Sequence, residues 1–352
     1  MATEASVPRP LTVRVRRIVL RTAVGLGTGA VLIVVFLRLV NIGAVARHLA
    51  HLNVGLALLC GVAFLAAFVV RALRWRCLLV PTCRVSVRRA VAIYQVAIFI
   101  NWLLPVRGGE LVKCLLLRRS DGVPISRSSA TVSVDKAMDL LPAIGLLALV
   151  PIVHPRLSRL LWLLLLGALA VVTLGAVVLA LAAWRREQTL ALSTRLFGRL
   201  PGDGLRRRVE PFIVGFLDTL AGLLRQPRLI LVAIAYTLVA VGLDALFCVL
   251  AFRAVGVAVA LPVVVYGYTL YNLAYILPTP PGQIGSNELF GLLIFSGMFG
   301  IDRGAVGGMF LFSHPWTAIL MTASGLACLS AMGLTLRGTM RLARASGGDE
   351  PG

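Results

Sequence analysis

The sequence predicts an all-α polytopic membrane protein: an inverted repeat with two re-entrant helical hairpins and about six full spans. Three observations carry this expectation. First, 59% of the 352 residues are hydrophobic and only 14% charged, against about 25% charged in ordinary soluble domains. Second, the basic residues gather in short blocks between apolar runs. Third, one pattern occurs twice.

The pattern is NWLLPVRGGE at 101–110 and NLAYILPTPPGQIGSNE at 272–288. Each has an Asn, a Leu-Pro, a glycine-containing turn, and a Glu that opens a new apolar run. Placing Glu110 on Glu288 without gaps pairs Gly122 and Val123 with Gly300 and Ile301. It also pairs Lys136 with His314, each 26 positions after its Glu.

Taken in order, residues 1–21 form a basic tail with Arg9, Arg14, Arg16, Arg17 and Arg21. The apolar run 22–37 follows with no small-residue cleavage site, so it is expected to remain as a first helix behind a disordered cytoplasmic tail. A span needs about 20 apolar residues. Runs 54–70, 130–153, 160–183 and 229–252 read as spans, and 305–336 contains the last. Runs 90–104 and 111–117 are too short and flank the first turn, giving one hairpin; 261–277 and 289–299 give the second. A single domain over 22–336 thus holds repeat units at about 90–153 and 261–336, with a cytoplasmic tail at 337–352. In the loop 184–228, Ile213, Phe216, Leu217, Leu220, Leu223 and Leu224 recur at helical spacing beside Arg206, Arg207 and Arg208. Residues 206–224 are therefore either an interfacial amphipathic helix or a helix packed on the domain's own inner surface.

With both termini inside, the inner segments hold 27 of the 35 Lys and Arg and the outer segments 6. That is the positive-inside bias of a multi-pass protein. Three spans separate the hairpins, and an odd number of crossings inverts the second unit. Two broken helices meeting from opposite faces are a transporter architecture with its site at the repeat interface. Non-helical backbone at membrane depth must line protein or water, so the turns 105–109 and 278–285 are expected at a hydrated cavity.

Composition also excludes. The net charge of +21 comes without aromatic interleaving or a nucleic-acid motif, so anionic phospholipid headgroups are the expected counterions and nucleic acid is not. Cys60, Cys77, Cys83, Cys114, Cys248 and Cys328 show no CxxC spacing and read as packing residues. No metalloprotease, hydrolase, nucleotide-binding or dinucleotide motif is present, and the four histidines are scattered. No enzyme, cofactor or metal is expected.

Ionisable residues inside apolar runs mark the candidate site. Asp135, Lys136 and Asp139 would each cost about 2.5–3.5 kcal/mol at a helix centre in lipid, so they are paired or wet. Lys136 is expected to be the only cation near both aspartates. They are either pathway residues or an internal ion-pair cluster, with His314 the matching position in the second unit. Glu110 and Glu288 either cap their helices or contact a headgroup. Arg107, Arg71 and Arg74 are the phosphate contacts if they are not interfacial anchors. Asn101 and Asn272 satisfy broken-helix backbone ahead of any ligand, and Asp244 either packs helices or lines the cavity.

RALRW at 71–75, the first turn, DKAMD at 135–139 and PGQIGSNE at 281–288 together resemble the lysylphosphatidylglycerol synthase transmembrane region, a flippase-like family of bacteria and archaea. The resemblance covers roughly residues 20–340. Lys113 stands where Arg is common, Asp135 and Lys136 where Glu-Arg is usual, Gln283 where Gly is usual, and His314 where Arg is frequent. The resemblance implies a stand-alone membrane domain in the plasma membrane. There it would translocate a modified phospholipid or polyprenyl-linked sugar between leaflets, with a lipid-modifying synthase or glycosyltransferase as a possible partner. The alternatives are a membrane-embedded transferase using Asp135, Asp139 and Glu110, and a lipid-binding accessory protein that does not transport.

Overall fold

The computed structural model describes the backbone of residues 11–104, 108–153, 159–197, 203–274 and 279–335. The described residues are helices joined by short turns, with no strand among them. The terminal tails 1–10 and 336–352, and the turn residues Pro105, Val106, Arg107 and Pro278, lie outside them.

The first helix, α1 (Leu11–Leu39), begins well before the apolar run and ends in a 91° bend into α2 (Ile42–Ala50). The sequence reading contains no α2. Its start is fixed by Asn41, whose side chain accepts from the Ala44 amide at 3.1 Å, the N-cap role for which Asn is suited. Asn53 caps α3 (Val54–Leu79) in the same way.

Helix α3 runs on past residue 70, where the apolar run stops, because Arg71 and Arg74 are not in a loop. They are paired inside the bundle, as is Lys113. Three of the 27 cations assigned to the inner side are therefore not loop residues, and the bias towards that side survives their removal. Antiparallel to α3 lies α10 (Pro227–Ala254). The Asn53 amide donates to the Ala254 carbonyl at 2.8 Å, and the Cys60 thiol faces the Phe247 carbonyl. By length and composition, α3 and α10 are long and apolar enough to cross a membrane among the described residues, and the bent pair α1 and α2 is either a broken third span or a re-entrant segment. Where further spans were expected stand the long helices α6 (Ile125–Val153), α7 (Arg159–Trp184) and α13 (Arg303–Ala331).

The two short-run pairs fold back on themselves. Helix α4 (Val87–Leu103) breaks at Leu104, and α5 (Gly109–Asp121) returns along it. The return is so close that a Cβ on Gly109 would collide with the Ala97 carbonyl and the Asn101 side chain. In the second pair, α11 (Leu261–Ala274) leads to a 3-10 turn (Pro281–Gln283), then α12 (Ser286–Gly291) and a π-helical stretch (Leu292–Met298). The returning segment starts three residues earlier than its apolar run, at Ser286, and Phe295 packs on Gly267 of α11. Helix α1 covers this turn: Gly285, at φ 79°, sits against the Gly29 carbonyl and the Leu32 Cβ.

The loop 184–228 is helical as well, as α8 (Arg186–Phe197) and α9 (Asp203–Leu224). Leu220 and Leu223 of α9 are buried in a cluster with Leu78, Ala130, Val134 and Ala233, so the apolar face of α9 turns onto the protein. The side chains of Arg206, Arg207 and Arg208 lie outside the described ones. All six cysteines are free, with Cys60, Cys114 and Cys248 buried.

The close return of α5 generates a prediction. Gly109→Ala should lower stability by about 2 kcal/mol or more, as overpacking against backbone does. Gly145→Ala, in α6 with open space around it, should be neutral or stabilising by up to about 1 kcal/mol from helix propensity. Thermal unfolding of both variants in detergent checks the contrast.

Candidate functional site

Arg71 and Arg74 lie one turn apart on α3 and project between α6 and α10. The Arg74 guanidinium binds Asp135 at 2.8 Å through Nε, the Asp135 backbone carbonyl at 3.0 Å, Asp139 at 2.5 Å and Thr237 at 3.1 Å. Arg74 is 1% exposed and Asp135 0%. Arg71 forms a two-pronged pair with Asp244 of α10 and reaches Asp139 at 3.9 Å. On the α5 side, Lys113 contacts Asp135 at 3.3 Å and Glu110 at 3.0 Å, with its ammonium 3.9 Å from the Tyr94 ring centroid. Lys136 links Glu110 at 2.9 Å to Asp139 at 3.3 Å.

Four cations and four carboxylates thus form one charge-balanced network across α3, α5, α6 and α10. Magnitude explains the balance. Eight unpaired charges in lipid would cost on the order of 20 kcal/mol at about 2.5–3.5 kcal/mol each, more than the 5–15 kcal/mol by which proteins are folded.

Two expectations change here. Lys136 is not the sole cation for Asp135 and Asp139: Asp135 is held by Arg74 and Lys113, and Asp139 is shared by Arg74, Arg71 and Lys136. A one-turn spacing on α6 put Lys136 beside Asp139, but nothing local to α6 announces cations arriving from α3 and α5. His314 belongs to a different pair. Its Nδ1 is 2.5 Å from Glu288 Oε1 and its Nε2 is 2.8 Å from the Gly282 carbonyl.

The structure therefore joins each repeated Glu to its own repeated base, Glu110 to Lys136 and Glu288 to His314. The two glutamates also serve their turns. Asn101 accepts from the Gly109 amide at 2.7 Å and donates to Glu110 at 3.3 Å, while Glu288 Oε2 accepts from the Gly285 amide at 2.8 Å. Asn101 satisfies broken-helix backbone in the way its position suggested.

A cavity of about 530 Å³ opens beside the network. Arg71, Arg74, Glu110, Lys136, Asp139 and Asp244 line it, together with Asn101, Asn272, Gln283, Asn287 and His314. Aromatic residues from α3, α10 and α11, among them Phe64, Phe68, Phe247, Tyr268 and Tyr271, border the same space, and the Arg71 guanidinium lies 5.5 Å from the Phe68 ring. Lys136, Asp139 and Glu110 are the accessible charges, their side chains 42%, 26% and 24% exposed. Asp244 both packs helices and lines the cavity. Asp135 and Lys113 stand behind the lining, as does Glu288, which His314 screens. Arg107 lies outside the described residues. The hairpin tips meet here: Trp102 of the first lies 3.6 Å from where a Cβ on Gly282 of the second would stand.

Lys113, Tyr94 and Thr237 are members of the site that the sequence reading did not assign to it. Lys113 had a local signal, since it follows Glu110 by one turn in an otherwise apolar stretch. Among the described residues no three His, Cys, Asp or Glu converge on a metal position.

Comparison with known proteins places this geometry in a family. Residues 18–325 match the family model of the lysylphosphatidylglycerol synthase TM region, and the chain belongs to that family. It is similar to a UPF0104 membrane protein of Methanothermobacter thermautotrophicus, 29% identical over 247 residues, which covers 64% of this chain and 70% of the relative. No solved structure matches it significantly.

Burial ranks the charges energetically. Asp135→Asn leaves Arg74 and Lys113 short of a buried counter-charge and should cost about 3–5 kcal/mol. Lys136→Met removes a half-exposed partner and should cost less than about 2 kcal/mol. Chemical unfolding in mixed micelles measures both, and equal losses would contradict the assignment of Asp135 as the buried centre.

Proposed function

We propose that this member of the lysylphosphatidylglycerol synthase TM region family is a flippase-like translocase, passing the headgroup of a phospholipid or lipid-linked sugar between leaflets through the cavity. The observation that carries the reading is the mixed lining, with exposed Lys136 and Asp139 within one ion-paired network and aromatic rings bordering the same cavity. A headgroup bearing a phosphate together with an amine or hydroxyl groups can exchange its hydration for such alternating charges. Its acyl or prenyl chain stays outside the polar lining.

The paired contacts Glu110 with Lys136 and Glu288 with His314 support a repeat whose halves enter the membrane from opposite faces. In this reading the hairpins are re-entrant, both termini are cytoplasmic in the plasma membrane, and about six helices cross it. Arg107, the lone arginine of either turn, is the phosphate contact at the first tip, where its planar fork suits a phosphate better than Lys does. No chemistry is assigned to the chain, and a lipid-modifying synthase or glycosyltransferase supplies or consumes the lipid.

Two measurements test this. In proteoliposomes containing fluorescent phosphatidylglycerol or phosphatidylethanolamine, Lys136→Gln and Arg107→Lys should each slow dithionite-accessible exchange about tenfold, equivalent to about 1.4 kcal/mol, while remaining folded. Wild-type exchange in both would remove the cavity from the pathway. Single cysteines at Gly108 and Gln283 in a cysteine-free background should react with water-borne reagents from opposite faces. Labelling from one face only would exclude the inverted arrangement.

A further inference from the structure

The second repeat unit holds a hydrogen-bond arrangement that closes only with an extra proton. His314 Nε2 faces the Gly282 carbonyl at 2.8 Å, an acceptor with nothing to donate, so Nε2 carries hydrogen. Nδ1 faces Glu288 Oε1 at 2.5 Å. A neutral ring protonated at Nε2 would aim the Nδ1 lone pair at a carboxylate oxygen, which is repulsive at that distance. One proton must therefore lie between them, whether the pair is written as imidazolium and carboxylate or as imidazole and carboxylic acid.

Glu288 cannot turn away to relieve this. Its other oxygen accepts from the Gly285 amide at 2.8 Å, and its side chain is 4% exposed. The carbonyl facing Nε2 is fixed too. It belongs to a turn with φ 65° at Gly282, 60° at Gln283 and 79° at Gly285. Gln283 is the non-glycine residue with positive φ among the described residues, a conformation costing about 1–2 kcal/mol that persists only where its surroundings impose it.

We infer that Glu288 and His314 form a proton-binding site in the cavity wall, and that headgroup passage is coupled to uptake and release of the proton they share. The inference rests on the translocase reading above. In the first unit the corresponding base is Lys136, an ammonium beside Glu110; in the second it is an imidazole, a group able to hold or release a proton. With the proton bound, the Glu288 and His314 pair is neutral beside the charge-balanced network. When the proton leaves through His314 to water in the cavity, this half gains one negative charge and repels a phosphate. A proton taken from one aqueous side and released to the other would give the exchange a direction.

The ionisable groups nearest the cavity on elements packed against α13 have partners of their own. Arg71 and Arg74 of α3 and Asp244 of α10 bind within the network. Tyr94 of α4 lies under Lys113, and His48 of α2 faces the Val255 carbonyl at 2.8 Å.

The test has two arms. In vesicles of phosphatidylglycerol and phosphatidylethanolamine carrying their fluorescent analogues, wild-type exchange should change at least about fivefold between about pH 5 and 8, the range in which histidine titrates. In His314→Arg, which keeps a cation for Glu288 without titrating in that range, the profile should be flat. If His314→Arg keeps the wild-type pH dependence, the proton site is overturned while translocation stands. If no variant exchanges lipid at any pH, the translocase reading falls, and spectroscopy of the full chain in nanodiscs decides the proton site. Nitrogen-15 histidine spectra should show a ring protonated at both nitrogens that His314→Arg abolishes, or infrared spectra a protonated carboxyl that Glu288→Gln abolishes. A neutral His314 ring beside an ionised Glu288 near neutral pH overturns it.

Discussion

Arg74 holds a guanidinium at 1% exposure where α3, α6 and α10 meet, and the cost of leaving that charge unpaired governs the helices around it. Asp135 must approach from α6, Thr237 from α10, and Lys113 must come from α5 to share Asp135. A buried ion network is a weak source of net stability, because desolvation offsets most of its attraction. What it supplies is register. Sliding α6 by one residue past α3 would leave several buried charges unmatched, a penalty comparable to the whole stability of the fold.

The same constraint accounts for the position of the cavity. Helix breaks at membrane depth release amides and carbonyls that lipid cannot bond. Asn101 takes up the Gly109 amide, and Glu288 takes up the Gly285 amide. Both breaks therefore lie where polar side chains already gather. Once the network and the two tips share one region, the space between them is lined by charges, amides and aromatic rings together.

Much of this was legible in order along the chain. The doubled Asn, Leu-Pro, glycine turn and Glu located both breaks, while the contacts between each Glu and the base 26 residues after it, at 2.9 and 2.5 Å, appear only in the structure. Gln283 holds a backbone conformation that Gly adopts without strain. Helix α2 was missed because it is only nine residues long and its start depends on a single Asn cap. The end of α3 was placed too early because an arginine after an apolar run reads as a loop unless its partner is known.

The sequence by itself determined the class, the sites of the two helix breaks and the identity of most ionisable residues, because composition, breakers and spacing act locally. Only the tertiary structure decided who pairs with whom. Asp135 meets Arg74 and Lys113, Asp244 meets Arg71, and Glu288 lies hidden behind His314. These partners lie on helices far apart in the chain, and no local periodicity carries the distance between them. Their choice is set by which faces the packed helices bring together, and by the electrostatic cost of every arrangement that leaves a charge alone.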